Sequence, residues 1–588
     1  MAALRLVVST HRGYAAGIAS FGLVASALPA AIAWTGRAIV DCVERAADGG
    51  DPTLRTQAMW LVALELVLVA VMTACHRGAG LFGSLLRMRV AQRVNEAILE
   101  KALHLELADF ETPEVLDRMT RARREASYRP MSHVDNLGGV AQGVLSLMGL
   151  GALLGALSPW TVVALIVATI PSFVAELRFG KEAFRLFSWR SPETRKQNYL
   201  EMLLARADYA KEVKLFGLGP MFLARYRAIF HALWAEDRDL TVKRAAYALL
   251  LGQISMLVFY AVYAWVAYSA ASGLITLGAM TMALLAFRQA EGSLSGLLST
   301  ASQILGDRPY LRTLFSFLEH QAPDHALGTE TEGPKPDDGV RFENVAFAYP
   351  GATEPVLKDI SFHLPPRHKL ALVGENGAGK TTLIKLLTRL YRPTAGRILL
   401  DGLPLDQWEE AALHRRIGVI FQDFVQYQLT VGENVGAGDV RAYEDEARWT
   451  EAADKGTALD FVRELPKGFG TQLGKWFDDG RELSLGQWQK IALSRAFMRK
   501  DADLLVLDEP TASMDAEAEA RIFARFRALT ADRSAILISH RFSTVRMADT
   551  ILVIEGGRIL EQGSHTELMA RGGRYAHLFT LQAQGYRD

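Results

Sequence analysis

Hydrophobic and polar positions follow two different patterns along this chain, and the change falls near residue 325. Before it, apolar residues run together: residues 14–36, 136–175 and 245–287 contain no charged side chain. A bilayer core takes about 20 apolar residues per helix, so the two longer runs each predict a helical hairpin. Ser158-Pro159 marks the turn in one and Ala271-Ser272-Gly273 the turn in the other. Residues 58–75 are apolar except for Glu65. Six membrane spans are predicted, at about 14–36, 57–76, 137–157, 159–178, 246–270 and 275–298.

Charge sets the topology. Arg5 and Arg12 precede the first span, and Arg77, Arg87, Arg89, Arg93 and Lys101 follow the second, whereas the loop between them mixes both signs. The positive-inside rule then puts both termini in the cytoplasm of a multi-pass cell-membrane protein. The first span is read as a retained helix, because its apolar part is long and Trp34-Thr35-Gly36-Arg37 is a poor cleavage site.

Charged, helix-compatible sequence separates spans 2 and 3 and spans 4 and 5. Val90, Val94, Ile98, Leu99 and Ala102 recur at helical spacing, so the second span is expected to continue into the cytoplasm as one long helix. A reversal follows over residues 109–114. The second excursion breaks at Gly217-Leu218-Gly219-Pro220. Residues 109–114 and 211–217 are the candidate coupling elements, against the plainer reading of solvated helices.

Residues 323–339, rich in Gly, Pro and charge, read as a linker between a membrane domain (1–322) and a second domain (340–588). In that second domain short β-branched strands alternate with helical segments, the pattern of an α/β fold. Residues 369–373 are an apolar strand, followed by Gly374-Glu375-Asn376-Gly377-Ala378-Gly379-Lys380-Thr381-Thr382 and a helix expected over 383–391. This is the P-loop template, in which glycines let backbone N–H groups turn onto phosphate oxygens. Lys380 is expected to reach the β- and γ-phosphates, and Thr381 to hold Mg²⁺. A second apolar strand, residues 503–507, runs into Asp508 and Glu509. Asp508 is the candidate Mg²⁺ ligand, and Glu509 the candidate base for the attacking water. The chemistry implied is nucleoside triphosphate hydrolysis.

Taken in order, the motifs of the second half resemble those of ABC (ATP-binding cassette) transporters of the exporter type, and the resemblance covers nearly the whole chain. It implies that Tyr349, in Phe347-Ala348-Tyr349-Pro350, stacks on adenine. It also implies that Gln422 touches Mg²⁺ and the membrane-domain interface, and that Ser513-Met514-Asp515 is the D-loop. Leu483-Ser484-Leu485-Gly486-Gln487 would be the signature motif and His540 the switch histidine on the γ-phosphate. Leu485 stands where the family usually has glycine, and Trp488-Gln489 resembles a variant of some peptide and lantibiotic exporters. Ser484 and Gly486 are expected to keep donating to phosphate from a helix N-terminus. Residues 471–480 are longer than the family's usual loop, with Lys475 where a glutamate is common.

Each ATP in the family needs a signature from a second cassette, so the resemblance implies a dimer. With Glu509 and His540 intact a homodimer is the simpler choice and two different chains the alternative. The function implied is ATP-driven export of a hydrophobic or amphipathic substrate (peptide, lipid or drug) by alternating access. An importer of the same architecture or a non-pumping ATP-gated protein stands as the alternative. No peptidase domain precedes Tyr14, so leader cleavage by this chain is not expected.

Composition narrows this little further. The chain has 588 residues, with 65 basic and 65 acidic side chains. That balance gives no reason to expect nucleic acid as a partner. Cys42 and Cys75 are too few for a disulfide scaffold. Glu65, Arg288 and Glu291 fall inside predicted spans, where polar groups are costly and often face a cavity, the plainer reading being an ion pair or a snorkelling end residue.

Overall fold

The computed structural model describes residues 2–49, 52–126, 129–171, 174, 178, 191–320, 328–509, 527–528, 530–539 and 541–584. The chain divides into two units: Met1–His104 with Glu114–His320, and Leu105–Pro113 with Gln321–Asp588.

The first unit is helical. Its long helices are Arg12–Gly49, Pro52–Leu103, Arg129–Leu157, Gly219–Ala271 and Leu277–Leu318. A helix satisfies its own backbone groups, which is what an apolar segment needs in a solvent without hydrogen-bonding capacity. Among the described residues four helices are long and apolar enough to cross a membrane: those starting at Arg12, Pro52, Arg129 and Gly219. Pro159–Pro171 is apolar but shorter. The Leu277–Leu318 helix is not among the four, because Arg288, Gln289 and Glu291 interrupt its apolar run.

The turns fall at the expected punctuation. The Arg129–Leu157 helix stops before Ser158-Pro159, where the Thr161 hydroxyl donates to Leu154 O (2.9 Å). The Gly219–Ala271 helix stops before Gly273, whose φ of +73° suits a residue without Cβ. Thr276 then caps the next helix by accepting from Ala279 N. Asp41 accepts a hydrogen bond from Gly278 N (3.1 Å), tying the end of the first helix to this hairpin.

The second helix is continuous over Pro52–Leu103 and buries Leu86, Val90, Val94 and Ile98 on one stripe. Leu99, expected on that stripe, is exposed. One residue on from Ile98 is a rotation of about 100°, so the two cannot share a narrow face.

In the second unit β3 (Lys369–Val373) is central to a six-stranded sheet ordered β10-β9-β3-β8-β7-β6. The other strands are β6 (Ile417–Ile420), β7 (Leu504–Asp508), β8 (Ser534–Ile538), β9 (Thr550–Glu555) and β10 (Arg558–Gly563). All pair in parallel except the β9–β10 edge, and the parallel strands are buried on both faces, as such sheets require. A second, antiparallel sheet joins β1 (Val340–Phe347), β2 (Leu357–Leu364), β4 (Ala395–Leu400) and β5 (Leu403–Pro404). The α/β reading did not anticipate this sheet. Its Phe342, Ile360 and Leu400 share one core with Leu383, Leu387 and the fully buried Trp408. A separate core under the helical side gathers Val431, Val435, Val462, Trp488 and Ile491.

Candidate nucleotide site

β3 delivers the chain to the P-loop, and the following helix is Lys380–Leu387. It starts and stops three to four residues earlier than the expected 383–391. Gly379 enters it at φ +101°, and Arg389 (φ +56°) leaves it. A Cβ on Gly379 would lie 2.5 Å from Leu357 Cδ2, so the loop's closeness to β2 depends on that glycine. Lys380 is 7% exposed, and its ammonium donates to Gly374 O (2.8 Å) and Glu375 O (2.9 Å). Burial lowers its pKa, while Glu509 and Asp508 oppose that shift. A buried ammonium held by loop carbonyls is poised to exchange them for phosphate oxygens.

β7 ends in Asp508 beside this loop. The Thr381 hydroxyl donates to Asp508 Oδ2 (2.8 Å), and Asp508 is 1% exposed. Its Oδ1 is buried with no hydrogen-bond partner among the described residues. Burial, reinforced by Glu509 and Asp423, pushes the Asp508 carboxyl up to about 6 against the pull of Thr381 and Lys380. An orphaned carboxylate oxygen next to a threonine hydroxyl is a hard, all-oxygen donor set. It fits Mg²⁺, which takes one or two protein oxygens and completes its shell from phosphate and water.

Glu509 follows at φ +49°, an unfavourable backbone region for a non-glycine residue that costs about 1–3 kcal/mol. Its amide donates to Ile538 O (3.0 Å) on β8, and its carboxylate accepts from Gln422 Nε2 (2.9 Å), just past β6. Lys380, Thr381, Gln422, Asp508 and Glu509 thus converge from the C-terminal ends of β3, β6 and β7, the edge where open α/β sheets bind ligands.

Tyr349 stands beside them. Its hydroxyl lies 3.0 Å from Thr382 Oγ1, and its ring is edge-on to Phe347 and Tyr391. The signature segment is elsewhere in the unit. Ser484 caps the Leu485–Phe497 helix, with a reciprocal capping box to Gln487. Leu485 occupies the first helical position with its side chain 54% exposed, and Trp488 is buried. Replacing glycine by leucine therefore costs this helix start no packing. Before it, the 471–480 segment is held to Gln428, which accepts from Trp476 N, while the Trp476 side chain is 82% exposed. His540 and Ser513-Met514-Asp515 lie outside the described residues.

Leu105–Pro113 packs with the cassette. Glu106 pairs with Arg392 (3.7 Å) and Glu111 with Lys385 (4.0 Å), while Leu107 and Ala108 lie on the sheet core. Lys385 also lies over the rings of Tyr349 and Tyr391. Burial raises the Tyr391 phenol far above its usual pKa, with the Glu111 carboxylate adding to the shift. Sequence reasoning missed Lys385, Tyr391 and Arg392, since nothing local distinguishes them. It also missed Arg574, which pairs with Glu375 of the P-loop.

A family model described as ABC transporter matches residues 357–512. The chain is 32% identical over 485 residues to the subtilin transport ATP-binding protein SpaT of Bacillus subtilis, covering 82% of this chain and 78% of that one. It is 28% identical over 504 residues to the nisin transport ATP-binding protein NisT of Lactococcus lactis subsp. lactis, covering 85% and 83%. The ATP-dependent lipid A-core flippase of Xanthomonas oryzae pv. oryzae is 30% identical over 508 residues, covering 84% and 82%. A solved structure of a bacterial Atm1-family ABC exporter with ATP bound superposes with a TM-score of 0.76 at 26% identity, covering 97% of this chain and 98% of that one.

Proposed function

This chain belongs to the ABC transporter family, and we propose that it is an ATP-driven exporter of an amphipathic peptide. The observation that carries the reading is the convergence of Lys380, Thr381, Gln422, Asp508 and Glu509 on one phosphate-binding edge, in a chain that also holds a membrane-type helical unit. Peptide cargo is favoured over lipid by the subtilin and nisin transport proteins among its relatives; the flippase keeps lipid as the competing class.

In this reading Lys380 and the loop amides from Gly374 to Thr382 bind the β- and γ-phosphates, and Tyr349 receives the adenine. Thr381, Asp508 and Gln422 hold Mg²⁺, which when bound supplies charge neutralisation to the phosphate oxygens. Glu509, oriented by Gln422, takes a proton from the attacking water. His540 would contact the γ-phosphate. Ser484, Gly486 and Gln487 would complete the site of a second cassette, making the working unit a dimer, with a homodimer the simpler form.

The membrane domain (1–322) would have six spans, counting Pro159–Pro171 and the Leu277–Leu318 helix with the four apolar helices. A linker over 323–339 would lead to a cytoplasmic cassette (340–588), with both termini on the same side. Residues 109–114 would report cassette movement to the helices, because Glu111 pairs with Lys385, which lies over the rings of Tyr391 and Tyr349. The second candidate, 211–217, spans the last residues of the Ala207–Leu215 helix and the turn after it, and exposes Leu215 and Phe216.

The test is ATP hydrolysis by the full chain in liposomes, beside Glu509→Gln. Hydrolysis that requires Glu509, with ATP-dependent movement of a labelled amphipathic peptide, is the expected result. Hydrolysis indifferent to Glu509, or turnover without movement of any peptide or lipid probe, would overturn the reading.

A further inference from the structure

The Leu277–Leu318 helix has two faces of different chemistry. One buries Met282, Ala283, Ala286, Phe287 and Ala290, each 3% exposed or less, in positions that recur at helical spacing. Three of them share a core with Leu150, Leu154, Leu165 and Phe259. The other face exposes Leu285, Arg288, Gln289, Gly292, Ser295 and Gly296. The Pro52–Leu103 helix offers the contrast. Its exposed residues include Val62, Leu64, Leu66, Val67, Val69 and Val71, the surface a lipid tail wets. A face bearing Arg288, Gln289 and two glycines is the wrong surface for lipid. In a membrane-spanning helix such a face borders water or a ligand.

Arg288 is held in place without being neutralised. Its guanidinium lies 4.1 Å from the centroid of the Phe259 ring. Phe259 is 7% exposed and is itself fixed by contacts with Phe287, Tyr260 and Tyr263. No carboxylate of the described residues lies within ion-pair distance, and Glu291 on the next turn is not a partner. An unpaired charge inside a span is costly. The ring offsets part of that cost and leaves the fork of N–H donors unmatched. Tyr260 and Tyr263, both exposed, lie alongside and add ring surface and hydroxyl groups.

We infer that Arg288 is the recognition point for a carboxylate of the transported peptide, with Tyr260 and Tyr263 receiving the apolar part next to it. This rests on the export reading, because that reading makes the Arg288 face part of a transport pathway. It goes further by naming the cargo's charge. The fork geometry favours a planar carboxylate, and Arg288, placed over the Phe259 ring, donates no hydrogen bond to a described residue.

The test uses the full chain in phosphatidylcholine nanodiscs, without nucleotide. Two fluorescent, Leu/Phe-rich decapeptides are compared by anisotropy, one with glutamate and a free C-terminus, the other with glutamine and an amide. The acid peptide should bind about tenfold tighter, the scale of one hydrogen-bonded charge contact. Arg288→Gln should bring the ratio to about one, and Arg288→Lys should keep part of it. Fluorescent ATP binding by each variant verifies that it is folded. Equal affinities in the native protein, or a preference that survives Arg288→Gln, would overturn the assignment. So would loss of the dimer in Arg288→Gln, which would put Arg288 at a subunit contact. A variant that loses only its response to anionic lipid would give the site to a lipid instead. Acid preference without Glu509-dependent hydrolysis would leave this site standing and reject the pump; hydrolysis without acid preference would do the reverse.

Discussion

Arg574, at the start of the Arg574–Gln584 helix, forms an ion pair with Glu375 inside the phosphate-binding loop. The arginine is well anchored. Glu561 accepts from the backbone amides of Arg574 (2.7 Å) and Tyr575 (3.0 Å), and Glu555 takes a second edge of the guanidinium (3.1 Å). The Tyr575 ring is fully buried, with its hydroxyl 2.8 Å from His565 Nδ1. The pair holds a carboxylate of the P-loop in a neutralised state beside the place where phosphate would bind.

Freed of its partner, that carboxylate would repel the nucleotide. Arg574→Gln should raise the Kd for ATP by about two- to fivefold, the scale of a partly exposed ion pair. Glu375→Gln in the same chain should restore it. A titration with fluorescent ATP over the four members of the cycle measures this. Absence of rescue would mean that Arg574 only docks the helix.

Thr381→Val should leave both oxygens of a buried Asp508 without a donor among the described residues. The cost is about 1–3 kcal/mol for an unsatisfied buried group. The nucleotide-free protein should therefore melt several degrees lower, and MgATP affinity should fall as well. Chelating Mg²⁺ should abolish hydrolysis in the native chain. A Thr381→Val protein with native melting and affinity would refute the role of this hydrogen bond.

Glu111→Lys places two cations together at Lys385, next to Tyr391 and Tyr349. Basal hydrolysis should persist while stimulation by a transported peptide is lost. Comparing ATPase rates with and without peptide in liposomes decides the matter. Retained stimulation would exclude residues 109–114 from coupling.

Hydrogen bonds from Lys455 and Lys500 hold the Glu451 carboxyl down at about 2, against 4.5 for the free side chain. A depressed acid stabilises the fold above its unfolded pKa and loses that contribution as pH falls towards its folded pKa. The window here is pH 4.5 down to about 2. After solvent screening the contribution is under about 1 kcal/mol. Glu451→Gln should flatten this part of the stability profile, as followed by thermal melting between pH 3 and 6. An unchanged slope would show that other acids carry it.

Local chemistry made the nucleotide site legible. A glycine loop after an apolar strand, and two carboxylates after another, read directly because each group's role depends on its immediate backbone. The limits of the P-loop helix were less legible, since Gly379 and Arg389 end it through backbone conformation instead of hydrophobic period. Leu99 was misplaced for a related reason: periodicity marks a broad stripe, and packing chooses which part of it is buried.

By itself the sequence determined that membrane-length apolar segments precede a phosphate-binding α/β domain, because hydrophobic runs and P-loop spacing are properties of neighbouring residues. Only the tertiary structure decided that Arg574 meets Glu375, which stands 199 positions away. The same holds for Glu106 and Glu111 clasping Arg392 and Lys385, and for Arg288 resting on Phe259 without a counter-ion among the described residues. Such pairings depend on where the helices and sheets bring distant segments together. The free energy of each charge depends on that neighbour and on its burial, neither of which is written in the order of residues.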